Sequence, residues 1–203
     1  MQRFVVAFTF LGAVLLGAVS TSAQGSLSLS QIRNVVNSVS DERLKEFVAE
    51  EEGVVNSAVN VVNKTRSSDK RVLDDLLTKF MVLPEFMDRK VIFKTYRHKS
   101  DTFVPEAISL GDVIYVSEAF LGKILFTPGG RDVLTAVLAH ELSHGRDFLV
   151  MRAVVNSKLL SAEEKEKMLL TIEMDADRSA INYLSNIGLR ADAVKTMLLG
   201  FGE

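Results

Sequence analysis

The chain has 203 residues, with 24 Lys and Arg against 26 Asp and Glu, no cysteine and no tryptophan. The near-balance of charge excludes a basic nucleic-acid-binding protein. A chain of this length buries a sizeable core without disulfide staples, so the missing cysteines leave its redox compartment open.

The first stretch, "MQRFVVAFTFLGAVLLGAVSTSA", opens with Arg3, runs apolar over 16 residues from Phe4 to Val19 and closes on small residues ending at Ala23. It reads as a secretory signal peptide, residues 1–23, cleaved after Ala23. The apolar run is shorter than the about 18 residues that usually span a bilayer. What remains, 24–203, is expected to be one exported domain, periplasmic or secreted, with no stable membrane span. The triplet Asn63-Lys64-Thr65 has the form of a glycosylation sequon, but so short a pattern arises often by chance.

From Leu29 to Val62 apolar residues recur at helical spacing, among them Ile32, Val35, Val36, Leu44, Phe47, Val55, Val59 and Val62. Two or three amphipathic helices are predicted there, with breaks near Ser40-Asp41 and Gly53. A polar loop over 65–70 leads to another helix that stops before Pro84, so 24–89 reads as a helical N-terminal part. The pattern changes at "KVIFKTYRHK" (90–99) and "EAISLGDVIYVSEAF" (106–120), where β-branched and aromatic residues alternate with polar ones around Gly111-Asp112. A small sheet of about three strands fits these segments.

After the Pro-Gly-Gly turn at 128–130, "RDVLTAVLAHELSHGRDFLVMRAVV" has helical periodicity with an apolar face through Val133, Val137, Leu138, Leu142 and Phe148. The next helix begins with the capping box Ser161-Ala162-Glu163-Glu164 and ends at Gly188, and a last one covers about 191–199. Met168, Met174 and Met197 read as core fillers. The fold class is therefore α+β, mostly helical, with the small sheet next to the helix that carries 140–144.

Two of the chain's three histidines lie in "HELSH", His140 and His144, four positions apart. On a helix that spacing puts both imidazoles on one face a turn apart, able to share one zinc ion. Glu141, one step round, is placed to act as base toward a water that zinc acidifies to a pKa of about 7. A third ligand is needed. The metzincin pattern would require histidine where this chain has Val150, so a carboxylate from elsewhere is expected. "TIEMDADRSA" offers Glu173 as ligand and, four residues on, Asp177 to orient a ligand histidine by hydrogen bonding.

"HELSH" followed on a later helix by "EMDADRSA", with "GDVIYVSEAFLGKI" upstream, resembles the gluzincin metalloendopeptidases that include HtpX and the CAAX prenyl endopeptidases. The resemblance covers roughly 90–187. It implies a zincin-like catalytic core over 90–203, one Zn(2+) per chain held by His140, His144 and Glu173, Glu141 as general base and Asp177 behind a ligand. It also implies hydrolysis of peptide bonds in exported or envelope polypeptides. The chain departs from the family in having Glu106-Ala107 where Asn-Ala is frequent, and no histidine after His144 to stabilise an oxyanion. Arg178, Tyr183 and Arg190 are the candidates for that task. The alternative from a different class is a non-catalytic zincin-fold protein that binds polypeptides in the manner of a chaperone.

Overall fold

The C-terminal half contains the longest helix, Ala162–Asn186, which follows the sequence closely. Ser161 caps it, its hydroxyl accepting from the Glu164 amide while Glu164 reaches back to the Ser161 amide, and Gly188 turns the chain out at φ 69°. The computed structural model describes residues 28–62, 66–98, 106–145 and 147–198. The signal peptide expected at 1–23 and the triplet 63–65 lie outside the described residues.

In chain order the elements are α1 (Leu29–Asn37), α2 (Asp41–Ala58), β1 (Val59–Val62), α3 (Ser67–Phe80), β2 (Ile92–His98), β3 (Ala107–Leu110), β4 (Val113–Ser117), α4 (Glu118–Ile124), α5 (Gly130–His144), α6 (Asp147–Asn156), α7 (Ala162–Asn186) and α8 (Ala193–Leu198). The strands form one sheet in the order β1-β2-β4-β3. β2 and β4 run parallel, and the pairs β1–β2 and β3–β4 are antiparallel. The three strands expected between 90 and 120 are present. A fourth, β1, comes from a stretch whose spacing had predicted helix. The expected break at Gly53 is absent because α2 runs through it, and the loop expected over 65–70 gives way to α3 at Ser67. No helix among the described residues is long and apolar enough to cross a membrane.

The sheet separates two apolar cores, and β4 shows why, since its side chains alternate between them. Ile114 and Val116 join Leu76, Phe80, Leu121, Leu134, Leu138 and Leu184 on one face, under α3, α4, α5 and the end of α7. Tyr115 points the other way, to Phe47, Leu149, Val154 and Ile172 under α2, α6 and the first half of α7. Ile32 and Val36 of α1 are buried in this second core, so the N-terminal helices are built into the same body as the sheet. Tyr115 and Lys94 both donate to Glu52 Oε1 at 2.7 Å, which ties α2 to the sheet.

The segment 131–155, periodic enough to suggest one helix, is two. Gly145 ends α5 at φ 48°, ψ −109°, a conformation that a residue with a Cβ rarely adopts. The break is needed because α5 packs in one core and α6 in the other. The chain crosses at the β3–β4 turn, where a Cβ on Gly111 would stand 3.5 Å from Phe148 Cε1 and 3.9 Å from the Gly145 carbonyl oxygen. Arg89 fastens this corner. Its guanidinium donates to Asp112 Oδ1 at 2.7 Å, to the Gly111 carbonyl at 3.3 Å and to the Leu142 carbonyl, near the end of α5, at 3.4 Å.

Candidate metal centre

α5 is buried along most of its length, with Val133, Val137, Leu138 and Leu142 facing the core as expected and Leu134, Ala136 and Ala139 buried as well. Such a helix has few positions left for polar groups; His140 and His144 occupy two on the side turned to α7, and Glu141 one on the side turned to β3. Leaving two imidazoles there without partners would cost several kcal/mol, on the order of 1–3 kcal/mol for each unpaired group. His140 Nδ1 meets Asp177 Oδ1 at 2.9 Å. His140 Nε2 and His144 Nε2 lie 3.1 Å apart. Glu173 approaches both, with Oε2 at 3.4 Å from His140 Nε2 and Oε1 at 3.9 Å from His144 Nε2.

These three side chains can hold a metal ion: each offers one donor atom, and the donors lie within 4.8 Å of one another. α5 and α7 are antiparallel here, so the i, i+4 pair on α5 matches the i, i+4 pair on α7, His140 against Asp177 and His144 against Glu173. The histidines are nearly closed off, with side chains 13% and 5% exposed, whereas Glu173 is 41% exposed. Access to the shared point is therefore from the Glu173 side. His144 Nδ1 is buried without a hydrogen-bond partner among the described residues, leaving Nε2 as the one ring nitrogen of His144 that faces other donors.

Two imidazole nitrogens so close cannot both carry a proton, and the surroundings choose between them. Burial alone lowers the pKa of His140, but its hydrogen bonds to Asp177 and Glu173 and the charge of Glu141 outweigh that and raise it to about 10. Burial, together with the charge on His140, lowers His144 to about 4. Burial pushes the Glu141 carboxyl up to about 7; His140 and a hydrogen bond from the Ser109 amide pull it down, and the Glu173 charge pushes it up.

The Ser109 amide is free to reach Glu141 because of the register of the hairpin. The Ser117 amide donates to the Glu106 carbonyl at 2.9 Å, which makes 106/117 a hydrogen-bonded pair. The next pairs along, Ala107↔Val116 and Ser109↔Ile114, then alternate so that Ala107 and Ser109 point their backbone groups away from β4. β3 ends the strand order, so these groups lie on the side of the sheet away from β4, where Ala107 and Ser109 are buried beside α5. Ser109 was not singled out from the sequence. The signal that would have found it is the two-residue turn Gly111-Asp112, which sets the amides that face outward two by two along β3.

The candidates for oxyanion stabilisation are not brought to this point. Arg178 is 68% exposed and pairs with Asp175. Tyr183 stands edge-on to Phe86 with ring centroids 4.9 Å apart. Arg190 pairs with Asp192 and reaches Asp132 near the other end of α5. Asp177, by contrast, is where the sequence predicts it. Asp177→Asn should weaken metal binding by about 10- to 100-fold, because an amide no longer favours the His140 tautomer that leaves Nε2 unprotonated. Chelator competition checks this, with Asp192→Asn as the surface control, and equal effects from the two changes would remove Asp177 from the centre.

Compared with known proteins, the sequence matches no family model and no curated protein.

Proposed function

We propose that the chain is an exported zinc metalloendopeptidase of the gluzincin type, related to HtpX and the CAAX prenyl endopeptidases. The observation that carries the reading is the convergence of His140 Nε2 and His144 Nε2, 3.1 Å apart, with Glu173, whose Oε2 is 3.4 Å from the first and whose Oε1 is 3.9 Å from the second; taking one donor atom from each residue, all three lie within 4.8 Å. Zinc bonds of about 2.0–2.1 Å at tetrahedral angles require donors roughly 3.3–3.5 Å apart. Two imidazoles and one carboxylate are also the donor set of a catalytic zinc site with a coordination position left for water or substrate.

When bound, zinc supplies Lewis acidity toward the scissile carbonyl and toward water. The chain's own residues do the rest. Glu141, beside the ligands without being one, takes a proton from water at its carboxylate and returns it to the leaving amine. The Ser109 amide holds that carboxylate at the edge of the sheet. An extended peptide that adds to β3 as a further strand would pair with the outward N–H and C=O of Ala107, a residue only 7% exposed, and would thereby be oriented over the ligands.

One observation favours a second reading, a non-catalytic binding protein on the same scaffold: the three oxyanion candidates have their partners elsewhere. The intact Glu141 opposes it, since a structural zinc site has no use for that carboxylate. Metal analysis and casein hydrolysis by the purified mature chain decide between the two. Proteolysis reads as hydrolysis that a chelator abolishes and added zinc restores. Stoichiometric zinc with no hydrolysis under any condition gives the second reading.

A further inference from the structure

Among the described residues, several apolar side chains face solvent from turns, as those of Val82 and Phe126 do, and exposed residues of that kind are common on folded domains. α7 is different. Leu170, Met174 and Ile181 are 49%, 51% and 42% exposed. At 3.6 residues per turn they fall within about 40° of one another, in a stripe of about 16 Å along the helix. Met174, which the sequence suggested as a core filler, belongs to this stripe.

Its position relative to the metal centre gives the stripe meaning. Glu173 and Asp177 project from the same stretch of α7, one step round toward the core, so the stripe borders the centre on its open side. About half of each side chain is left to solvent, on the helix that also carries the partly exposed Glu173. An extended chain of about five residues matches its length.

We propose that Leu170, Met174 and Ile181 form the wall that selects the substrate, accepting apolar side chains of an extended polypeptide whose backbone adds to β3. This inference rests on the protease reading and names its substrate class: segments rich in apolar side chains, such as unfolded polypeptide exposes. β3 contributes backbone groups that every peptide can satisfy, so side-chain discrimination has to come from another surface, and the α7 stripe is an apolar surface adjoining the ligands.

The experiment compares the zinc-loaded native chain with the triple variant Leu170→Gln, Met174→Gln, Ile181→Gln. Glutamine is a good helix former, and the positions are exposed, so the fold is kept. Thr171→Gln with Asn182→Gln, about 60° to 80° farther round the same helix, is the control. The native chain should cut a library of proteome-derived peptides next to apolar residues. The triple variant should lose that preference, its KM for a preferred peptide rising about tenfold or more from the loss of apolar burial, with kcat and zinc content little changed. Cleavage with unchanged KM and unchanged preference overturns the proposal and leaves the protease reading standing. A second measurement separates the two failures: binding of reduced, carboxymethylated casein to Glu141→Gln, with and without the three glutamines. If no native hydrolysis occurs but the glutamines weaken casein binding about tenfold, the stripe is upheld as a polypeptide-binding wall and the protease reading falls. Equal casein binding with and without them overturns the stripe.

Discussion

Glu141→Gln should leave the metal in place and lower peptide hydrolysis by a factor of about 100 or more, the usual contribution of a positioned base. The three donors that converge belong to His140, His144 and Glu173, so the change removes no ligand. Glutamine has the size of glutamate, and its carbonyl oxygen can still accept from the Ser109 amide, so the β3 edge keeps its contact with α5. Only the proton acceptor is lost. Metal analysis beside casein hydrolysis measures both quantities on one sample. Loss of the metal would make Glu141 a ligand or a fold determinant, and native-like hydrolysis would place the activity at some other site.

His140→Ala should be the most damaging change to the centre, exceeding the about 10- to 100-fold loss of metal affinity typical of a supporting residue. It deletes a donor and strands Asp177, whose side chain is only 16% exposed. The replaced group also gives zinc uptake a proton signature. In the metal-free protein His140 titrates at about 10, above a working pH of 7.5, so it is protonated. His144, lowered to about 4, is already neutral. Metal must displace the His140 proton, so apparent affinity strengthens as pH rises toward about 10 and weakens as pH falls. Calorimetry of the native chain at pH 7.5 in buffers of different ionisation enthalpy should report about one proton released from His140. Native enthalpies independent of the buffer would contradict this assignment, as would zinc held by His140→Ala with native affinity.

The centre was legible in the sequence because helical spacing is local. His140 and His144 at i, i+4, and Glu173 with Asp177 at i, i+4, are each fixed by one helix, and the pairing of the two helices is the one thing that distant packing had to supply. The capping box at Ser161 was legible for the same reason. β1 was not. Val55, Val59 and Val62 satisfy a helical repeat, and only Val59-Asn60-Val61 alternates, so the four-residue strand is decided by its pairing with β2 rather than by its own pattern. Gly145 was overlooked inside a long periodic stretch, since periodicity counts apolar residues and ignores which core they enter. The stripe on α7 was misread through Met174, because methionine at helical spacing looks alike whether it faces a core or solvent.

On the protease reading, Arg89 has a consequence for the timing of catalysis. By holding the β3–β4 turn and the last turn of α5 with one guanidinium, it makes the open strand and the histidine helix move as a single piece. Swinging β3 aside would break these three hydrogen bonds, so on the protease reading a folded loop is not admitted whole. A substrate must already present an extended segment, so for compact targets the clock is the target's own local unfolding. A protease built this way spares well-folded neighbours without needing to recognise them, and its rate on a given protein reports how often that protein comes apart.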